Sequence, residues 1–141
     1  ENTDQFLRIS GDSPLIDPDI IDHAAGLYEQ FPCDLVSNIM LRTFPKGQSV
    51  EVIKSHTFLK STASINDAHD KEHVTSYFYR NINDFRIVNF TSGLNAGSIQ
   101  LSVDTDQDLR TAIRILKPTL VRPQKWRELI SLKKELFEEK C

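Results

Sequence analysis

Several things are scarce in this chain of 141 residues. It has two cysteines, Cys33 and Cys141, too few and too far apart for a thiolate metal motif or a disulfide framework, so a reduced, cytoplasmic setting is expected. Basic residues show no excess: 17 Lys and Arg stand against 20 Asp and Glu, for a net charge of -3. That argues against a dedicated nucleic-acid binder. No apolar run is long enough to span a bilayer, and no signal peptide is visible. There is no internal repeat and no low-complexity segment. The five glycines, at 11, 26, 47, 93 and 97, are scattered. An initiator Met is also missing, and an apolar run (Phe6-Leu7-Arg8-Ile9) begins almost at the first residue. The expectation is the later part of a longer polypeptide.

What is present is enough for one domain with a core, at 39% apolar residues. Phe6–Ser10 reads as a strand broken by Gly11-Asp12-Ser13-Pro14. Asp17-Pro18 reads as a helix start, with Asp at the N-cap and Pro at the first helical position. Ile20, Ile21, Ala24, Leu27 and Tyr28 recur at helical spacing up to Phe31-Pro32. Strands follow at Asp34–Met40 and Val50–Ile53, separated by a loop over 42–49. Ser55 is expected to cap a helix to Ser61, and a further helix runs over 68–80. Strands are expected at Phe85–Phe90 and Ile99–Val103. Thr105 with Asp108 reads as a capping-box pair for a helix whose apolar stripe is Leu109, Ala112, Ile113 and Leu116. Pro118 ends it, and a last amphipathic helix opens at Pro123. Alternating strands and helices imply an α/β class with a mixed, mostly parallel sheet. The expected division is a main domain over 1–120 and a terminal helix over 121–141.

Two stretches carry chemistry. Asp12 and Asp104 each directly follow a predicted strand, the position where open α/β sheets bind ligands. If those strands are neighbours, the carboxylates converge and suit Mg²⁺, which keeps waters and shares phosphate oxygens. Asp in such a turn also serves simply as a cap. Separately, His69-Asp70-Lys71-Glu72-His73 fits the H-x-x-E-H zinc signature. A zinc site there needs a third ligand, for which Glu128, Glu135, Glu138 and Glu139 of the last helix are available.

"RISGDSPLIDPDIID", "VSNIMLRTFPKGQSVEVI", "KEHVTSYFYRN" and "LSVDTDQDL" occur in that order, and together they resemble the cytidylyltransferase family. That family includes the acylneuraminate and Kdo cytidylyltransferases, and its spore-coat-polysaccharide branch looks closest. The resemblance covers about residues 6–117. It implies a Rossmann-like nucleotidyltransferase fold and a Mg²⁺-dependent reaction that joins a sugar acid to CMP from CTP with release of pyrophosphate, for surface polysaccharide. By this resemblance Asp12 and Asp104 are the catalytic metal-side aspartates, and Arg8 lies near the nucleotide. Arg42, Thr43, Phe44 and Pro45 lie on the sugar side, with Glu51. Glu72, His73 and Thr75 match the family's E-H-V-T, near the sugar pocket or a subunit contact in a homodimer.

The sequence departs from the family pattern at Ser13 (often Cys), Ser49 (often Asp), Ser76 and Asp106 (both typically Pro). The family's N-terminal strand and Gly/Arg/Lys-rich phosphate loop have no counterpart. Since such loops cradle phosphate with backbone N–H groups, this chain alone is expected to bind CTP poorly. The alternative reading is a non-catalytic binding or assembly module of the same lineage.

Overall fold

The computed structural model describes residues 3–65, 75–117 and 125–138. Its elements are β1 (Gln5–Arg8), α1 (Pro18–Gln30), β2 (Leu35–Ser37), β3 (Glu51–Lys54), α2 (Ser55–Thr62), α3 (Ser76–Arg80), a 3-10 turn (Ile82–Asp84), β4 (Ile87–Asn89), α4 (Asp106–Leu116) and α5 (Trp126–Glu138). No described helix is long and apolar enough to cross a membrane.

The start of α1 follows from its first residues. Asp17 is extended (φ -81, ψ 119), and its side chain accepts from the N–H of Asp19 at 3.0 Å while Pro18 opens the helix. At the other end Phe31 leaves helical geometry, as Pro32 beside it requires. The helix α4 carries the expected capping box, Thr105 and Asp108 satisfying each other's orphan donors.

The sheet has four strands in the order β1-β3-β2-β4. It is mixed, as expected for the α/β class. β1, β2 and β4 point one way, and β3 runs against them between β1 and β2. Two of the three ladders are therefore antiparallel, a correction to "mostly parallel". The reason is the connection: 38–50 carries no helix, and a chain that returns without a crossover pairs antiparallel.

Registered rungs cross the whole sheet. Phe6, Ile53, Leu35 and Ile87 form one, and Leu7, Val52, Val36 and Val88 the next. Successive rungs face opposite sides. The first meets Phe58 of α2 and Phe78 of α3, while Val36, Val52 and Val88 of the second meet Ile20 and Ala24 of α1 and Trp126 of α5. The result is three layers, helices on both faces. Phe78 is fully buried, a burial worth about 1.5–3 kcal/mol for a side chain of this kind. Leu15, Leu101, Ala112, Ile115 and Leu129 form a further cluster between α4 and α5.

Three local expectations are corrected. Ile99–Val103 is no strand: it makes a single parallel bridge, Lys46 to Gln100, because its hydrogen bonds go to separated loop residues. Ser55 does not cap α2. β3 runs straight into the helix, the N–H of Ser55 donates to the carbonyl of Asp4 at 2.9 Å, and Lys54 occupies the cap position. In α4 the buried stripe is Ala112 and Ile115, while Leu109 and Ile113 are exposed. The cluster around Leu101 and Leu129 fixes which side of that helix turns inward.

Candidate active site at the carboxyl edge of the sheet

The last registered rung differs from the others. Arg8, Glu51, Ser37 and Asn89 form it, one polar side chain per strand. It lies at the carboxyl ends of β1, β2 and β4, the edge where open α/β sheets take ligands. Arg8 and Glu51, both singled out from sequence, meet in an ion pair of 2.5 Å. The Glu51 side chain is 1% exposed and that of Arg8 33%, so the pair spans from interior to surface. The hydroxyl of Tyr79, from α3, donates to the second carboxylate oxygen of Glu51 and lies 2.7 Å from the hydroxyl of Ser37. Burial, then the Glu51 charge, pushes the Tyr79 phenol far above its usual range. Asn89 Oδ1 is buried without a hydrogen-bond partner among the described residues.

Asp12 and Asp104 come to the same edge. The N–H of Val103 donates to the carbonyl of Asp12 at 2.8 Å, so Asp104 follows directly on a residue bonded to Asp12. Both aspartates are exposed. Asp12 accepts from the Ser13 hydroxyl at 2.9 Å, and Asp104 accepts from Nε2 of Gln100 at 2.7 Å. The backbone of Asp104 is pinned in turn, its N–H donating to Asp108 at 3.3 Å. The Thr105 hydroxyl, and then backbone N–H groups of Asp104 and Thr105, hold the Asp108 carboxyl below the usual range. From α5, Lys133 donates to the Gln100 carbonyl at 2.6 Å. Two exposed carboxylates with oxygen donors fit a hard cation that retains its waters. Among the described residues no group of three or more His, Cys, Asp or Glu could hold a metal.

The 38–50 loop is tied down by two buried amides that sequence reading did not single out. Asn38 donates to the Gln48 carbonyl at 2.8 Å and accepts from the Val50 N–H at 3.0 Å. Gln48 donates to the Leu15 carbonyl at 2.7 Å and accepts from the Asp17 N–H at 2.9 Å. Nothing local distinguishes these amides from surface ones. On this scaffold Arg42 is exposed and donates to Ser49 at 3.2 Å. Thr43 accepts from the Ser92 N–H at 2.8 Å. Phe44 is buried edge-to-face against Phe90 and Trp126, in the floor of a cavity of about 470 Å³ whose rim carries Lys125 and Arg127. Pro45 is buried beside it.

Thr75 is buried at the start of α3. His69, Glu72 and His73 lie outside the described residues, so the H-x-x-E-H constellation does too. Of its candidate third ligands, Glu128 and Glu135 lie on α5, with Glu138 in its last turn.

No protein-family model matches the chain. It is 30% identical over 118 residues to an uncharacterised protein of Methanocaldococcus jannaschii, covering 81% of this chain and 46% of that protein. A solved cytidylyltransferase structure from Leptospira borgpetersenii serovar Hardjo-bovis is similar at a TM-score of 0.88 and 24% identity, over 94% of this chain and 57% of that one. The chain thus spans about half the length of the proteins it matches. The likeness shows the fold: this chain carries a cytidylyltransferase-like nucleotidyltransferase fold.

Proposed function

We propose that the chain forms the catalytic-edge half of a nucleotidyltransferase that activates a sugar acid with CTP, giving a CMP-sugar for surface polysaccharide and releasing pyrophosphate. The observation that supports this reading is the hydrogen bond from the Val103 N–H to the Asp12 carbonyl, which joins the segment leading to Asp104 to the segment that follows β1. The shared fold supports it. In the reaction the anomeric oxygen of the sugar acid bonds to the α-phosphorus of CTP. The bond from that phosphorus to the pyrophosphate oxygen breaks, and the hydroxyl proton passes to water. Asp12 and Asp104 would hold Mg²⁺, which when bound offsets phosphate charge and polarises the attacking hydroxyl. Arg8 orients the nucleotide, while Arg42 and Thr43, at the mouth of the 38–50 loop, face the sugar acid. Glu51 belongs to the site through Arg8.

A second reading, a non-catalytic module, is favoured by how two glycines are used. Gly47 and Gly97 sit where an added Cβ would meet backbone at 2.6 and 2.5 Å, so they serve close packing and not a phosphate loop. The test is Asp12→Ala in the full-length polypeptide. Mg²⁺-dependent pyrophosphate release from CTP and a sugar acid is expected to vanish, and unchanged turnover would overturn the metal assignment. Wild-type protein that binds the sugar acid and never releases pyrophosphate would favour the module.

A further inference from the structure

We infer that Tyr79 is a positioning residue for Arg8, acting through Glu51, and that the Arg8 guanidinium is thereby held rigid toward an anionic group of the nucleotide. The nucleotide part rests on the function proposed above. A phenol has one proton, and the carboxylate of Glu51 has none to give, so the hydroxyl of Tyr79 donates to Glu51. Ser37 must then donate to Tyr79 across their 2.7 Å contact. The Ser37 oxygen in turn accepts from the N–H of Ile39 at 3.0 Å. Every donor in the series points the same way, from the backbone after β2 through Ser37 and Tyr79 to Glu51. Such chains polarise one another in a low-dielectric interior.

Arg8 meets Glu51 from the opposite side, so both carboxylate oxygens are occupied, one by each partner. A carboxylate held by one partner alone could rotate, and an arginine one-third exposed, as Arg8 is, would sample many rotamers on it. Held by two, it presents the planar guanidinium in one orientation, from a residue at the carboxyl end of β1, four positions before Asp12. The same series joins Arg8 to Ile39, at the head of the loop that carries Arg42 and Thr43. Removing one phenol oxygen should therefore loosen Arg8 without touching it.

Two measurements test this. In the chain itself, NMR of the Arg8 guanidinium protons is expected to show slowly exchanging signals that Tyr79→Phe removes. In the full-length polypeptide, Tyr79→Phe is expected to raise KM for CTP about tenfold and leave kcat within about twofold. In an Arg8→Ala background the same change should raise KM no further, since its effect runs through Arg8. Ser37→Ala, at the far end of the series, gives a weaker form of both effects and replaces Tyr79→Phe should that variant not fold. Unchanged Arg8 signals, or an equal KM effect with and without Arg8, would overturn the inference. Absence of CTP turnover in the wild type would instead remove the proposed function, and the NMR measurement alone would then decide the role of Tyr79.

Discussion

The backbone N–H of Trp126 donates to Oδ2 of Asp17 at 2.9 Å, joining the first turns of α1 and α5 across 109 residues. The other oxygen of the same carboxylate caps α1 through Asp19. Asp17 is 2% exposed, and its bond to Trp126 is buried, while the one to Asp19 is partly buried. One buried side chain thus starts two helices and fixes where Trp126 enters the core beside Val36 and Val52.

Asp17→Ala removes a cap and leaves the Trp126 N–H buried without an acceptor. Loss of a cap costs about 1 kcal/mol and an unmet buried donor about 1–3 kcal/mol. The expected loss is about 2–4 kcal/mol, read as a lowered urea midpoint by circular dichroism. Asp17→Asn keeps one acceptor oxygen and turns an amide donor toward the other N–H, so it should fall between wild type and alanine. An alanine variant as stable as wild type would show that Trp126 finds another acceptor.

Gly47 has φ 89, and a Cβ there would lie 2.6 Å from the N of Ser102 and 2.7 Å from the carbonyl carbon of Leu101. These are backbone atoms that cannot swing aside. The neighbouring bonds, Lys46 N–H to Ile99 and Leu101 N–H to Lys46, hold the 99–103 segment that leads to Asp104. Gly47→Ala should cost about 3 kcal/mol or more, combining left-handed strain with displacement of that segment. Gly26 is the counter-case: it lies inside α1 with nothing within 4 Å of an added Cβ. Gly26→Ala should stabilise by about 0.5–1 kcal/mol. Thermal unfolding of the two variants side by side checks both signs.

Much of this was readable where the signal is local. Asp17-Pro18 and the Thr105/Asp108 pair are stop-and-start chemistry contained in four residues, and both helices begin where they predict. The apolar stripe of α4 was not readable in the same way. Leu109, Ala112, Ile113 and Leu116 fit helical spacing as well as the observed Ala112 and Ile115, and only the distant Leu101 and Leu129 choose between them. Ile99–Val103 has strand composition yet bonds to Lys46 and Asp12 in separate loops and, among the described residues, makes one isolated bridge, since a strand needs a neighbour as well as a pattern. At the site, Asp12 and Asp104 stood out by their position after predicted strands, and Arg8 and Glu51 only through the resemblance to the cytidylyltransferase family. Tyr79, Ser37, Asn38 and Gln48 did not, because their importance lies in burial and in partners between 10 and 42 residues away.

Tyr79 is shielded by burial, then by Glu51, so its folded pKa lies far above that of an unfolded tyrosine, about 10. Below that pH the phenol is protonated in both states, and its contribution to stability is complete. Above it the unfolded chain releases the proton while the native state retains it. The unfolded state then binds fewer protons, so stability falls as pH rises. Tyr28 acts in the same direction, its phenol raised by burial and then by the nearby Cys33, Asp34 and Asp4. Urea unfolding from about pH 8 to 11 should show a declining midpoint in the wild type. Tyr79→Phe should be less stable at the lower pH, through the lost bonds to Glu51 and Ser37, yet decline less steeply above about pH 10. Tyr28→Phe should flatten the slope by a smaller amount. An equal slope in wild type and Tyr79→Phe would mean that the phenol of Tyr79 ionises as readily in the folded protein as in the unfolded chain, and would overturn the upward shift that burial and Glu51 impose on it.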